Sequence, residues 1–284
     1  MGRMLSIFTD TYRTAKQIME VGNPQDEHVR EWAQGWAKRM LKYSGVEVRS
    51  VKGTPMLERP VIWVGNHVSY LDIPLLMSEA PAVFVAKSEL ARWPVIGTGC
   101  RSVGTVFVER GSAKSRARTG DAIGKSLREQ RQSIAVFPAG TTRLDESREW
   151  RRGIFEIARR LGVPVQPFRL RYTPARRAAY IDRDFFPLHL WQLIHSEGVV
   201  AELEWGHSFE VTDPVSECKR TWEWARDWVQ EVETVRDAEG PESPNDPSPF
   251  QREYPPKPTP DAHVLRPEAQ ARAPQSSPQQ SSVE

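Results

Sequence analysis

Short apolar runs that alternate with helical segments limit the choice of fold for this chain more than any other feature. Helical patterns lie at 73–79, 113–130 and 153–161. The apolar runs around them predict six strands, at 61–65, 83–86, 104–108, 134–137, 163–170 and 199–205. Runs that are apolar at nearly every position are typical of strands buried on both faces. The sequence therefore predicts an α/β fold with a central, mostly buried β-sheet flanked by helices.

Two amphipathic helical patterns precede this region. In positions 4–19 the apolar residues fall on one side of a 3.6-residue helix, and in 26–43 basic residues surround an aromatic stripe that includes Trp32 and Trp36. We expect residues 1–45 to form an amphipathic helical hairpin. Two uses of the hairpin stay open at this point. It can pack against the domain, or it can lie at a membrane surface with its aromatic rings at the acyl boundary and its lysines near anionic head groups.

The C-terminal end of the chain has a different composition. Residues 241–284 hold 11 of the 23 prolines and show no periodic apolar pattern. Such a segment cannot bury enough apolar surface to offset the entropy lost on ordering. We therefore predict a disordered, Pro-rich tail at 240–284, which follows an α/β domain at 46–239. The last helix of that domain carries Trp222, Trp224 and Trp228.

Charge and cysteine content argue against several classes of protein. The 39 basic residues are scattered and balanced by 37 acidic ones, and no reader motif is present, so we expect no nucleic-acid partner. Cys100 and Cys218 are far apart and match no metal-binding spacing, which favours a reducing compartment and no metal. No apolar stretch approaches the roughly 18 residues of a spanning helix. The opening turns polar after Phe8, unlike a secretory signal.

The stretch VGNHVSYLD at 64–72 contains the first candidate for catalysis. His67 follows a predicted strand end, where α/β folds place reactive groups. Asp72 lies about one helical turn further on, so its carboxylate is close enough to fix the ring tautomer and to stabilise the imidazolium. The other ring nitrogen is then available to take a proton. The spacing alone also fits a structural histidine, so the surrounding motifs are needed to distinguish a catalytic role from a structural one.

Three further motifs follow in order. The chain reads NHVSYLD at 66–72, GTVFVER at 104–110, FPAGTTR at 137–143 and VPVQPF at 163–168. These stretches resemble the blocks NHxSxxD, GxxFIxR, FPEGTR and VPIxPV of the glycerolipid acyltransferase family, whose best-known members are the lysophosphatidic acid acyltransferases. The resemblance covers about residues 27–235. It implies a glycerol-3-phosphate acyltransferase-like fold. It also implies an enzyme without a cofactor, which moves a fatty acyl group from acyl-CoA or acyl carrier protein to the free hydroxyl of a lysolipid.

The resemblance also implies roles for single residues. His67 would deprotonate the acceptor hydroxyl while Asp72 holds the ring, and the hydroxyl would attack the thioester without an acyl-enzyme. The chain has no GxSxG elbow, which agrees with direct attack. The arginine that closes the second block would hold the acceptor's phosphate with its planar fork. Backbone amides around Gly140 would face the tetrahedral oxyanion. The predicted substrate-binding residues are Asn66, Ser69, Arg110, Gly140, Thr141, Thr142 and Arg143.

The third block departs from the family pattern. Ala139 stands where the family has glutamate, and Thr142 stands where it has arginine, with Arg143 one position later. A methyl group cannot accept a hydrogen bond or balance a cation, so these changes bear on the acceptor, while His67 and Asp72 are untouched. We expect 1-acyl-glycerol-3-phosphate as acceptor, giving phosphatidic acid. The alternatives are another lysolipid such as a lyso-aminolipid, a catalytically weak lipid-binding relative, or a thioesterase that uses His67 and water.

Location follows from the same resemblance. We predict a bacterial enzyme in the cytoplasm, peripherally associated with the inner face of the membrane through the N-terminal amphipathic helices.

Overall fold

The computed structural model describes residues 2–23, 26–109, 113–181 and 184–239. The predicted tail at 240–284 lies outside them. Nine helices are present within the described residues: α1 (Gly2–Val21), α2 (Glu27–Ser44), α3 (Asp72–Glu79), α4 (Ile96–Ser102), α5 (Ala113–Arg128), α6 (Gly153–Leu161), α7 (Ala175–Ala178), α8 (Phe186–Ile194) and α9 (Pro214–Glu239). A 3₁₀ helix spans Ser88–Arg92. No helix in this described part is long and apolar enough to cross a membrane.

One central sheet runs through the molecule. Its seven described strands are β1 (Val46–Lys52), β2 (Ile62–Gly65), β3 (Val83–Lys87), β4 (Val106–Val108), β5 (Ile134–Val136), β6 (Val165–Thr173) and β7 (Val199–Trp205). Their order in the sheet is β1-β7-β6-β2-β5-β3-β4. The five strands from β6 to β4 pair in parallel, whereas β7 is antiparallel to β6 and parallel to β1. The α/β fold predicted from the alternation is therefore confirmed.

Helices cover both faces of this sheet. Trp63 of β2 is buried in a cluster that also contains Val29 of α2 and Leu75 of α3. Its neighbours Ile62 and Val64 point to the other face, where they join a second cluster built with α5, α6 and α9. Alternate residues of one strand thus enter two different cores. This double burial explains why the run reads as apolar at every position.

The N-terminal helices share a core with the sheet. Ile18 of α1 and Ala37 of α2 are buried in the cluster that contains Trp63. The two helices are also joined by polar contacts, because Arg39 Nε donates to Asp10 Oδ2 over 2.7 Å. The hairpin therefore packs on the domain, which is one of the two uses that the sequence left open. The hairpin also leaves apolar side chains exposed, and these are relevant to the other use, contact with a membrane surface.

Strand β1 is an element that the sequence patterns did not predict. It lies at the edge of the sheet, and most of its residues are exposed. Its burial alternates from Val46 to Val51, but Ser50 is polar on the more buried side and Val51 is apolar on the exposed side. The apolar residues of this stretch therefore do not alternate in the way that would have revealed a strand. Strand β6 also differs from its predicted position, because it begins at Val165 and continues to Thr173.

Candidate active site

Strand β2 delivers the first block to the carboxyl edge of the sheet. Its last residue, Gly65, lies against Phe168 of β6, and a Cβ at this position would come within 2.2 Å of the phenyl ring. The next residue, Asn66, is fully buried. Its side-chain amide donates to the Leu170 carbonyl over 2.7 Å, and its side-chain oxygen accepts from the Leu170 N–H over 2.9 Å. These contacts fix the direction in which the chain leaves the sheet, immediately before His67.

Asp72 begins α3 and is fully buried. Its Oδ2 lies 2.6 Å from His67 Nδ1 and accepts from the main-chain N–H groups of Val68 at 2.8 Å and Ser69 at 3.1 Å. Its Oδ1 accepts from the hydroxyl of Tyr172 at 2.8 Å. Every one of these groups donates to the carboxylate, so a buried negative charge is stabilised here.

The contact with Asp72 determines the state of the His67 ring. An ionised carboxylate only accepts, so Nδ1 carries the proton and Nε2 has a free lone pair. Among the described residues Nε2 has no hydrogen-bond partner, and the side chain is 19% exposed. The imidazole stacks on Phe137, with ring centroids 3.9 Å apart and planes inclined by 13°. Phe137 therefore holds one face of the ring and Asp72 holds Nδ1, which leaves Nε2 as the atom that can accept a proton.

The third block meets His67 because β5 and β2 are parallel neighbours. Phe137 follows the end of β5, and Arg143 donates its main-chain N–H to the His67 carbonyl over 2.7 Å. Between them the chain turns at Gly140, whose φ of 74° is a left-handed value that favours glycine. The Gly140 N–H donates to the Phe137 carbonyl over 2.9 Å, so the predicted oxyanion contact of this amide would compete with the turn.

The predicted substrate-binding residues occupy different surroundings. The side-chain amide of Asn66 is buried and bonds to both main-chain groups of Leu170, so its observed contacts lie within the fold. The Ser69 hydroxyl is buried and has no hydrogen-bond partner within the described residues. Thr142 donates its hydroxyl to the Tyr180 carbonyl, and Thr141 is exposed. Arg110 lies outside the described residues, although β4, which precedes it, ends at the same edge of the sheet. The substrate contacts of all these residues stay predictions.

Two polar residues of the site lie outside the motifs. Tyr172 is four positions beyond the fourth block, and burial together with the Asp72 charge raises the pKa of its hydroxyl. Glu146 is 3% exposed and follows the third block by three positions. Burial raises its pKa to about 7. A tyrosine at the end of a predicted strand and a lone glutamate in a loop carry no motif signal, so the sequence did not indicate either.

Helix α8 is tied to the first block through Tyr70. His189 Nε2 lies 2.9 Å from the Ala179 carbonyl, to which it donates, and its Nδ1 accepts from the Tyr70 hydroxyl at 3.0 Å. Burial lowers the pKa of His189, which keeps this ring neutral. The Tyr70 ring also lies edge-on to Phe186 and Tyr180, with centroids 5.0 and 5.6 Å away. An aromatic cluster thus connects the loop between His67 and Asp72 to α8.

Neither cysteine has the properties of a nucleophile. Burial raises the pKa of Cys100, and it raises that of Cys218 to about 11, so both thiols are protonated near neutral pH. Within the described ranges no group of three or more His, Cys, Asp or Glu side chains is placed to hold a metal ion.

Comparison with known proteins identifies the family. Residues 40–171 match the family model described as Acyltransferase. The chain is 35% identical over 182 residues to the lyso-ornithine lipid O-acyltransferase of Pseudomonas aeruginosa, an alignment that covers 61% of this chain and 67% of that protein. It is 30% identical over 203 residues to the 1-acyl-sn-glycerol-3-phosphate acyltransferase of Neisseria gonorrhoeae, with coverage of 68% and 77%. The chain belongs to the Acyltransferase family.

A solved structure supports the fold of this acyltransferase. The 1-acyl-sn-glycerophosphate acyltransferase of Thermotoga maritima superposes with a TM-score of 0.59, and the match covers 81% of this chain and 95% of that chain. The two sequences are 22% identical, so this likeness concerns the fold alone. The resemblance read from the four blocks is confirmed, and so is the O-acyltransferase class of the enzyme.

Proposed function

We propose that this acyltransferase moves a fatty acyl group from acyl-CoA or acyl carrier protein to the free hydroxyl of a lysolipid, with His67 as general base. The observation that carries the proposal is the buried Asp72 at 2.6 Å from His67 Nδ1, since it leaves Nε2 as the basic atom. No cofactor enters the proposed reaction. The co-substrate supplies the activated acyl group.

The reaction proceeds by direct attack. Nε2 of His67 removes the proton from the acceptor hydroxyl while the oxygen bonds to the thioester carbonyl carbon. The Asp72 carboxylate stabilises the resulting imidazolium, and three other groups hold this carboxylate in place by donating hydrogen bonds to it. The tetrahedral intermediate then breaks its carbon–sulfur bond, and the imidazolium returns the proton to the departing thiolate. A general base of this kind contributes about 10²–10⁴-fold in rate.

Two acceptors fit different features of the chain. 1-Acyl-glycerol-3-phosphate is the acceptor we propose first, because Arg110 and Arg143 are suited to bind its phosphate. A lyso-ornithine lipid is the second candidate. It is favoured by Ala139, which removes a carboxylate from the third block, and by the name of the relative from Pseudomonas aeruginosa. Purified enzyme offered both acceptors, each with acyl-CoA and with acyl carrier protein, distinguishes the candidates by the labelled diacyl product.

We further propose that the enzyme works in the cytoplasm at the inner face of the membrane. Helix α1 leaves large apolar side chains exposed, and α8, which contacts α1, exposes three more: Leu5, Tyr12 and Met19 on α1, and Phe185, Leu188 and Trp191 at α8. Exposed apolar groups on neighbouring helices are typical of a surface that enters the interface of a bilayer. Such a surface suits an enzyme whose acceptor is a lipid.

His67→Ala tests the chemical role directly. We expect loss of labelled acyl transfer to any lysolipid, with a melting temperature close to that of the wild type. His207→Ala is the matched control, because His207 is an exposed histidine outside the site. Activity retained in His67→Ala would exclude the mechanism. Release of free fatty acid by the wild type in the presence of lysolipid would instead identify a thioesterase, and lipid binding without any turnover would identify a binding protein.

A further inference from the structure

Two consecutive peptide groups of the first block donate to the Asp72 carboxylate. The first joins His67 to Val68 and the second joins Val68 to Ser69, and their N–H groups lie 2.8 and 3.1 Å from Oδ2. Val68 is 5% exposed, so the second carbonyl of this pair lies in a buried stretch of chain. The carboxylate keeps its direction toward His67 only while these two peptide groups keep theirs.

The carbonyl ends of the same peptide groups are held by residues outside the first block. The His67 carbonyl accepts from the Arg143 N–H over 2.7 Å, and the Val68 carbonyl accepts from the Tyr180 N–H over 3.1 Å. Arg143 belongs to the third block, and Tyr180 lies between α7 and α8. Each peptide group is therefore fixed at both ends, by Asp72 at its N–H and by a distant residue at its carbonyl.

Thr142 connects the third block to the second of these supports. Its side-chain hydroxyl donates to the carbonyl of Tyr180. A hydroxyl has one proton to donate, and an ionised phosphate oxygen only accepts, so in this arrangement Thr142 has no proton left for a phosphate. Thr142 and Arg143, which are neighbours in the chain, thus reach the two peptide groups of the first block, Arg143 directly and Thr142 through Tyr180.

The support at Tyr180 is itself held by α8. One peptide group contains the Ala179 carbonyl and the Tyr180 N–H, and this carbonyl lies 2.9 Å from Nε2 of His189, which donates to it. Ala179 is fully buried, and the rings of Tyr180 and His189 lie edge to face with centroids 5.7 Å apart. The chain that Thr142 contacts is therefore braced from its other side.

We propose that Thr142 is a positioning residue, which acts through Tyr180 on the main chain of Val68 and so holds the Asp72 carboxylate in line with His67. This task differs from the contact with substrate that the resemblance implied for position 142. The inference rests on the proposed function, because it assigns a task within the same site. Loss of the hydroxyl removes a donor from the Tyr180 carbonyl and leaves Tyr180 free to shift away from Val68.

Thr142→Val tests the inference, because valine removes the hydroxyl and keeps the branched shape. We expect kcat to fall about tenfold, as for the loss of one hydrogen bond that aligns the site. The loss should be equal with 1-acyl-glycerol-3-phosphate and with a lyso-ornithine lipid, and the KM of both acceptors should stay unchanged. Thr142→Ser keeps the hydroxyl and should recover most of the lost kcat. Thr54→Val, at an exposed threonine outside the site, is the matched control.

Amide hydrogen exchange reports the same contact without any turnover. In Thr142→Val the N–H of Tyr180 should exchange about tenfold faster than in the wild type, because its hydrogen bond to Val68 opens more often. Thr142→Ser and Thr54→Val should exchange at the wild-type rate at this position.

Three results would overturn the inference. A rise in KM for the phosphate acceptor alone would show that Thr142 contacts the substrate. A lower melting temperature with unchanged kcat and unchanged exchange at Tyr180 would show a role in stability only. A loss of kcat that Thr142→Ser does not recover would assign the effect to the shape of the side chain. Failure of the proposed function is recognised separately, because the wild-type enzyme would then show no transfer to any lysolipid, and the inference would fall with it.

Discussion

Tyr172 donates its hydroxyl to Oδ1 of Asp72 over 2.8 Å, while His67 lies on Oδ2 of the same carboxylate. The tyrosine is in β6 and the aspartate begins α3, 100 residues apart in the chain. Their contact arises because β6 runs parallel to β2 and extends beyond the end of that strand. The orientation of His67 and Asp72, the proposed catalytic pair, therefore depends on a residue that belongs to none of the four blocks.

Tyr172→Phe should lower both activity and stability. The buried Oδ1 of Asp72 loses its donor, which costs about 1–3 kcal/mol of folding free energy. We expect kcat to fall about tenfold as the carboxylate loses one of its fixed contacts. Chemical denaturation and steady-state kinetics measure the two effects. Tyr43→Phe, which removes a hydroxyl outside the site, is the control, and equal kinetics in both variants would show that Tyr172 has no part in orientation.

Asp72→Asn should weaken the general base without removing side-chain volume. The asparagine oxygen should take the place of Oδ2, where Val68 and Ser69 donate, and its NH2 should face the Tyr172 hydroxyl. His67 then keeps its tautomer but loses the negative charge that stabilises its imidazolium. We expect kcat to fall by about 10²–10⁴-fold, the usual contribution of a general base. Labelled acyl transfer measures the loss. The imidazole nitrogen shifts in an NMR spectrum check that the tautomer is kept, and full activity in Asp72→Asn would contradict the prediction.

The sequence predicted the contact between His67 and Asp72 because that contact is local. His67 and Asp72 are five positions apart at a strand end, so the spacing and the four ordered blocks were sufficient to predict their contact. Tyr172 reaches Asp72 only through the register of two strands, which no local pattern determines. The sheet itself was predicted from its buried parallel strands, whereas β1 was missed because apolar and polar residues do not alternate regularly along this exposed edge strand.

Glu146 shows the same limit next to the third block. The block pattern marks Ala139 as the position without a carboxylate, but it gives no sign of the buried carboxyl group in the loop that follows the block. Its burial depends on Trp150 and on Trp222 of α9, which is far away in the chain. A glutamate flanked by Asp145, Ser147 and Arg148 has the pattern of a solvated loop residue, and only the three-dimensional packing shows that it is enclosed.

Charges on the exposed face of α8 should weaken membrane binding. Leu188 and Trp191 are 52% and 51% exposed and lie three positions apart on one helix face. We expect Leu188→Glu combined with Trp191→Glu to lower binding to vesicles of anionic phospholipid at least tenfold, because carboxylates enter the interface poorly and are repelled by the head groups. Vesicle flotation measures the fraction of protein bound to the vesicles. Val215→Glu on α9, an apolar side chain 55% exposed, is the control, and equal binding of all variants would contradict the prediction.

The free energy of unfolding should depend on pH through Glu146. In the unfolded chain this carboxyl group titrates at its ordinary pKa of 4.5, and in the folded enzyme at about 7. Between these values the folded state binds more protons, so the stability that the protonated group contributes is complete below pH 4.5 and is lost as the pH rises through 7. The difference in unfolding free energy between wild type and Glu146→Gln should therefore fall by up to about 3 kcal/mol from pH 4 to pH 8. Urea denaturation at a series of pH values measures this difference. Glu149→Gln, at an exposed glutamate of the same loop, is the control variant. A difference for Glu146→Gln that does not change with pH would contradict the prediction.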